Sequence, residues 1–134
     1  HSECARILYD SICLIMLNQV NPVKQNSIDT IGSYMRKRKL GDENLDWNQN
    51  SRNIFNFIRA ICAPGPKATT FLNGEEVKIN NSKIIESAIS YNNKPGQILK
   101  KTENGYLVKT LDAFIEILDI ETKIILKVGD IFEE

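Results

Sequence analysis

Residues 69–79 have the sequence TTFLNGEEVKI, in which two short apolar runs flank Asn73-Gly74. An Asn-Gly pair in this position is the strongest local indication of a β-hairpin, because both residues tolerate the positive φ angles of a tight turn. A similar pattern follows downstream, where Gln97–Lys101 and Tyr106–Thr110 flank Glu103-Asn104-Gly105. The two hairpins predict that this part of the chain is antiparallel β-structure.

Further β-rich runs occupy the rest of the C-terminal half. Lys83–Ile89 precedes a turn at Asn92–Gly96, and Phe114–Leu118 and Ile124–Val128 follow the second hairpin. About six strands at this even spacing are typical of a small antiparallel barrel, closed or partly closed. Because helical patterns precede these strands, the predicted fold class is α+β.

The first predicted helix covers residues 3–19 and is apolar on more than one face. One stripe has the spacing of a helix face and consists of Leu8, Ile12, Ile15 and Met16. Ile7, Leu14 and Leu17 are apolar residues outside that stripe. So broad an apolar surface needs partners on several sides. We therefore expect this helix to complete a larger domain, and in the isolated chain to self-associate or to pack back against the chain's own barrel.

Residues 22–47 lack periodicity and are predicted to form a linker. A run of four cations follows Tyr34-Met35 and consists of Arg36, Lys37, Arg38 and Lys39. Such a run is usually a solvated loop. Beside a tyrosine it can also contact a phosphorylated ligand or the acidic surface of a neighbouring domain. Tyr34 and the cations are therefore candidate ligand-binding or interface residues.

The second predicted helix covers residues 48–62 and has a narrow core-facing stripe. The stripe consists of Ile54, Phe57, Ile58 and Ile61. Arg59 lies beside it, where a long guanidinium is expected to bond backbone carbonyls or a carboxylate at an interface. A structural role for Arg59 is favoured, and it is retained as a candidate interface residue.

The composition excludes several classes of function. The 134 residues contain 17 basic and 17 acidic side chains, so the chain lacks the strong positive charge of many phosphate-backbone binders. His1 is the only histidine, which excludes internal catalytic triads and histidine-ligated zinc. We therefore predict no catalytic residue and no metal site.

The cysteines and the apolar runs indicate a cytoplasmic protein. Cys4, Cys13 and Cys62 are odd in number and have no Cys-x-x-Cys spacing, so they are expected to be reduced core thiols. The longest apolar run, Ile12–Leu17, is far shorter than the roughly 20 residues that span a bilayer. No membrane partner and no signal peptide are predicted.

Three motifs, in order along the chain, carry a family resemblance. Tyr34–Arg38 has the sequence YMRKR, Asp42–Trp47 has the sequence DENLDW, and Ile58-Arg59-Ala60 precedes the turn Ala63–Pro66. Together with the opening of the predicted strands, they resemble the 10-formyltetrahydrofolate-dependent formyltransferases. That family includes methionyl-tRNA formyltransferase and the sugar N-formyltransferases. Pro64-Gly65-Pro66 departs from the family's usual turn, in which the glycine follows both prolines.

The resemblance implies an N-terminal Rossmann-like catalytic domain that binds 10-formyltetrahydrofolate, then a linker and a C-terminal OB-like β-barrel. By this comparison residues 1–21 are the last helix of a catalytic domain otherwise missing here, residues 22–47 are the linker, and residues 48–134 form the barrel domain. The family's Asn–His–Asp constellation has no counterpart among these residues. We therefore expect this chain to bind no cofactor and to be inactive alone.

Three functions stay open at this point. The favoured one is the non-catalytic C-terminal portion of an enzyme that formylates the amine of a nucleotide-linked amino sugar, in agreement with the neutral charge. The alternative is the tRNA-binding domain of a methionyl-tRNA formyltransferase, which needs a local cationic patch. Candidates for that patch are Lys78, Lys83, Lys100, Lys101 and Lys109. The third is a free-standing, non-enzymatic binding module.

Overall fold

The computed structural model describes residues 2–29, 31–85 and 92–133 and has the predicted α+β class. It divides into two compact units, His1–Lys37 and Arg38–Glu134. The helices are α1 (Ser2–Met16), α2 (Gln25–Ile28) and α3 (Ser51–Ile61). The strands are β1 (Ala68–Leu72), β2 (Glu75–Ile84), β3 (Ile98–Lys101), β4 (Gly105–Lys109) and β5 (Phe114–Thr122). The assignment of residues 1–21, 22–47 and 48–134 to three parts stays a prediction.

The first unit consists of α1 and the single-turn helix α2. α1 is the helix predicted over residues 3–19, and it ends earlier because Asn18 adopts a positive φ of 54°. Arg6 and Glu3 form an exposed ion pair at 2.8 Å in its first turns. Its apolar side chains lie largely in solvent, and Ile7, Leu8, Ile12, Leu14, Ile15, Met16 and Leu17 are all exposed to 44% or more. α2 was not predicted, since a single turn has too few residues to display a period.

The second unit is built on one antiparallel sheet with the strand order β1-β2-β5-β4-β3. Both predicted hairpins are present. Asn73 and Gly74 form the β1–β2 turn with φ angles of 54° and 77°. β4 begins at Gly105 and pairs with both β3 and β5. Within the described residues the sheet is open, so the OB-like closure of the barrel stays a prediction.

The C-terminal segment 131–133 links the two edge strands of this open sheet. Phe71 of β1 and Glu133 exchange backbone hydrogen bonds at 3.1 and 2.8 Å. On the other side, the Phe132 N–H donates to the carbonyl of Gly96, just before β3, at 3.0 Å. The Phe132 ring stacks on Trp47 with 5.5 Å between ring centroids. Isolated bridges and one aromatic stack thus hold this segment to both edges.

The structure differs from the prediction at two of the predicted strands. Ile124–Val128 is not a strand, because its backbone groups find no ladder partner and Ile125 and Val128 are exposed. Lys83 and Ile84 belong to β2, which pairs with β5 in one register from Val77 to Ile84. The polar residues in the middle of β2 suggested a break, yet they stay within the ladder. Residues 86–89 of the predicted strand lie outside the described residues.

The core lies between α3 and the inner face of the sheet. The alternation in the sequence predicts that Val77, Ile79, Ile115 and Ile117 share the buried face, and all four are fully buried. From α3, Ile54, Ile58 and Ile61 pack against them, whereas Phe57 of the predicted stripe is only half-buried.

The cysteines are free thiols, but the prediction that they lie in the core is wrong. Cys4 is exposed, and Cys13 and Cys62 are half-buried at most. Cys4 and Cys13 lie on α1, whose apolar side chains are themselves largely exposed, and Cys62 follows the last residue of α3.

Candidate nucleic-acid interface

The cationic run that the sequence singles out is exposed. Tyr34 is 99% exposed, and Arg36, Lys37 and Arg38 are exposed as well. Tyr34, Arg36 and Lys37 belong to the first unit and Arg38 to the second. The run is therefore divided between the two units and does not form a site within either one.

Just after this run, residues 40–43 form a turn that leads into the DENLDW motif. The Asp42 carboxylate accepts a hydrogen bond from the Lys39 N–H at 2.8 Å, and the Asp42 N–H donates to the Lys39 carbonyl at 3.2 Å. Gly41 has a φ of 91°, a conformation that favours glycine. The following residues run beside β1, where the Leu45 N–H donates to the Thr69 carbonyl at 2.8 Å. This turn thus joins the start of the second unit to the edge of β1.

Arg59, the remaining candidate, lies on one flank of α3. Its guanidinium carbon is 5.6 Å from the centroid of the Phe55 ring, and its Nη2 is 3.4 Å from the Asn56 Oδ1. Both contacts lie within α3, and the expected carbonyl or carboxylate partner at an interface stays a prediction. The guanidinium thus remains exposed at the surface of the second unit.

Arg52 belongs to the same flank, and the sequence analysis missed it. Its guanidinium carbon is 6.0 Å from the centroid of the same Phe55 ring. Positions 52, 55 and 59 are related by i, i+3 and i+7, which places them on one side of a helix. We call this set, Arg52, Phe55, Asn56 and Arg59, the α3 arginine face. The spacing in the sequence RNIFNFIR was the signal that could have identified it.

The α3 arginine face carries positive charge without an acidic counterpart. The sequence of α3 contains no Asp or Glu. Over the described residues, neither Arg52 nor Arg59 has a carboxylate within salt-bridge distance. Phe55 is half-buried between them. Two guanidinium groups and one aromatic ring therefore share a single exposed flank.

The five lysines proposed as a cationic patch for RNA binding do not all present free charge at the surface. Lys109 is 2% exposed, and its Nζ donates to the carbonyls of Thr110 at 2.6 Å and Leu111 at 3.3 Å. Lys78 is paired with Glu76 at 3.4 Å. Lys83, Lys100 and Lys101 are exposed, and Lys83 lies opposite Glu116 across the β2–β5 ladder. Burial and pairing thus remove two of the five proposed cations.

The N-terminus of α3 is anchored by polar contacts to the β4–β5 loop. The Asn50 side chain caps the helix by accepting from the Asn53 N–H at 2.8 Å. The Asp112 Oδ1 accepts from the Ser51 N–H and the Ser51 hydroxyl, each at 2.8 Å, and from the Thr110 hydroxyl at 3.0 Å. Burial acts to raise the pKa of Asp112. The hydrogen bonds from Ser51, from Thr110 and from its own backbone lower the pKa by more, so that it lies below its ordinary value. The helix that carries the arginine face is therefore fixed at its start.

The described residues contain neither a metal-binding cluster nor a membrane-spanning helix. No group of three or more His, Cys, Asp or Glu side chains with the geometry to hold a metal ion occurs in residues 2–29, 31–85 and 92–133. In the same ranges no helix is both long enough and apolar enough to cross a membrane. The exposed arginine face is the feature best suited to contact a ligand.

The comparison with known families bears on this geometry. Residues 37–134 match the family described as "Formyl transferase, C-terminal domain". The chain belongs to the formyltransferase family. The match includes α3 and all five strands of this formyltransferase domain, so the arginine face lies inside the matched region.

Several curated relatives of this formyltransferase domain are named methionyl-tRNA formyltransferase. The protein of Mycoplasma capricolum is 34% identical over 124 residues, which is 90% of this chain and 36% of the relative. That of Streptococcus agalactiae is 31% identical over 115 residues, 86% of this chain and 35% of the relative. That of Lactococcus lactis is 36% identical over 83 residues, 60% of this chain and 25% of the relative. The chain thus spans about a third or less of the length of these relatives.

Proposed function

We propose that this chain is the C-terminal, non-catalytic portion of a methionyl-tRNA formyltransferase and that it contributes tRNA binding. The observation that carries the proposal is the 34% identity over 124 residues to an enzyme of that name. The names of the relatives favour this alternative over the enzyme for nucleotide-linked amino sugars, which the sequence analysis had placed first. They also disfavour a free-standing binding module.

In this proposal the formyl-transfer chemistry belongs to residues outside this 134-residue chain. The family resemblance assigns formyl transfer to an Asn–His–Asp constellation in a Rossmann-like domain, with 10-formyltetrahydrofolate as the donor. The chain's single histidine is His1, and no counterpart of that constellation is present in its sequence. The amine of methionyl-tRNA would attack the formyl carbon there, while the C-terminal portion would hold the RNA. We expect the complete enzyme to act in the cytoplasm, where the three cysteines of this chain stay reduced.

A binding comparison tests the acceptor. Fluorescently labelled initiator tRNA is titrated with the chain, and a nucleotide-linked amino sugar is then added as a competitor. We expect the anisotropy of the tRNA to rise with protein concentration and the sugar to cause no displacement. Binding of the nucleotide sugar in an independent titration, together with no binding of tRNA, would overturn the proposal in favour of the sugar-modifying branch.

A further inference from the structure

We infer that the α3 arginine face is the surface of this domain that contacts the RNA backbone, with Arg52 and Arg59 binding phosphates of one strand and the Phe55 ring packing against the nucleotide between them. The inference rests on the proposed function, because it takes tRNA as the occupant. It goes further by selecting one helix flank over the exposed lysines of the sheet.

The two guanidinium groups lie near one another, on either side of the Phe55 ring's position in the sequence. Arg59 follows Arg52 by seven positions, which corresponds to about 10 Å along the helix axis. Both groups approach the same ring, at 6.0 and 5.6 Å from its centroid. They are thus close enough for a single nucleic-acid strand to reach both. Along the helix axis, Phe55 lies between the two arginines.

The contact with Phe55 also prepares both side chains for binding. A guanidinium held by a cation–π contact is restricted in its rotamers before the ligand arrives. Less side-chain entropy is then lost when a phosphate is bound. The ring itself is anchored, because it packs against the core cluster formed by α3 and the sheet. The face is therefore pre-organised rather than assembled from mobile residues.

The charges around the face favour an anionic ligand. Lys67 and Lys78 in the same unit are matched by Glu121 and Glu76. Over the described residues Arg52 and Arg59 have no such match. The guanidinium fork donates two parallel hydrogen bonds to a phosphate, which an ammonium group does not do. An aromatic ring among arginines is typical of surfaces that stack on nucleotides, whereas an acidic protein partner would give the ring no such role.

The test is the salt dependence of tRNA binding by the full chain. Each phosphate contact contributes about 0.7–0.9 to the slope of log affinity against log salt concentration. We compare wild type with Arg52→Gln/Arg59→Gln by anisotropy of labelled initiator tRNA. The matched control is Lys100→Gln/Lys101→Gln, which removes the same charge from exposed positions of β3. We expect the arginine variant to reduce the slope by about 1.5 and the affinity at 50 mM salt about 10- to 100-fold, with the control changing much less.

Two further variants separate the parts of the face. Arg52→Lys/Arg59→Lys keeps both charges but removes the forks, so the salt slope is expected to stay near that of wild type while the affinity falls. Phe55→Leu keeps an apolar side chain but removes the ring, and a loss of affinity without a change in slope is expected. Circular dichroism confirms that each variant retains the fold.

The outcomes distinguish this inference from the proposed function. If wild type binds tRNA and the arginine variant binds with an unchanged slope, the inference is overturned and the proposed function stands. The same holds if the lysine control loses as much slope as the arginine variant, since overall charge then explains the binding. If wild type does not bind tRNA, the proposed function falls, and this inference falls with it.

Discussion

Asp112 ties the β4–β5 loop to the first turn of α3, and its replacement measures how strongly that contact stabilises the second unit. Its carboxylate caps the Ser51 N–H and accepts from two hydroxyl groups. A side-chain cap at a helix start contributes about 0.5–2 kcal/mol, and a negative charge there adds about 0.3–1 kcal/mol. We expect Asp112→Ala to lower the free energy of unfolding by about 1–2 kcal/mol. Asp112→Asn keeps an acceptor oxygen and should lose about half as much.

Urea denaturation followed by tryptophan fluorescence is the assay. Trp47 is the only tryptophan and is 2% exposed, so its emission reports unfolding of the second unit. Glu75→Gln is the control, because it removes one negative charge from an exposed position at the start of β2. Its free energy of unfolding should stay within about 0.5 kcal/mol of wild type.

The pH dependence gives the same prediction a second test. Burial acts to raise the pKa of Asp112, but its hydrogen bonds outweigh this and hold the pKa below the ordinary value of 3.8. The stabilisation is therefore complete above the pKa of the unfolded chain and is lost as the pH falls through that of the folded one. We expect the difference between wild type and Asp112→Asn to be constant above about pH 5 and to shrink at lower pH. A difference that is unchanged down to about pH 2.5, or an Asp112→Ala variant as stable as wild type, would refute the role of the carboxylate.

The remaining predictions concern α1, activity and the sheet. If the chain self-associates through the exposed apolar surface of α1, Leu14→Glu/Leu17→Glu should yield a monomer in light scattering with the Trp47 fluorescence unchanged; an oligomer of unchanged size would contradict this. The purified chain should not formylate methionyl-tRNA when 10-formyltetrahydrofolate is supplied, and detectable transfer would show that the chemistry resides here. Gly105→Ala should destabilise the second unit by about 2 kcal/mol or more, because a Cβ at this position would collide with the Ile117 carbonyl of β5. Gly32→Ala, where a Cβ meets no atom within 4 Å, is its control, and equal melting temperatures of the two variants would count against the collision.

The features of the fold that depend only on residues close together in the sequence were predictable. Asn73-Gly74 specifies the β1–β2 turn through its own backbone preferences, and the alternation of Val77 and Ile79 specifies the buried face of β2. Ile124–Val128 was predicted wrongly because its apolar composition suits a strand, whereas a strand also needs a partner whose position depends on the whole topology. The open edges of the sheet, β1 and β3, were not predictable for the same reason, because the strand order depends on pairing between residues far apart in the sequence.

The candidate site was predictable only in part. Arg59 is conspicuous because it lies beside an apolar stripe, whereas Arg52 and Phe55 are separated from it along the sequence. The continuous run of cations at 36–39 is a stronger local signal. A functional flank of a helix is spread over eight positions, so it is less conspicuous than a run. The burial of Lys109 was also not predictable, since lysine is rarely buried and the carbonyls that hold its ammonium group come from the local turn after β4.

The link between segment 131–133 and both sheet edges has a consequence for how the protein matures on the ribosome. The Thr70 hydroxyl donates to the carbonyl of Glu133, 63 positions later in the chain. During synthesis every strand therefore leaves the ribosome before the residues that cover β1 and the segment before β3. In that interval the nascent sheet presents unpaired backbone groups on both sides, which is the state most open to pairing with strands of other chains. The sheet edges are thus most exposed to such pairing just before residues 131–133 emerge.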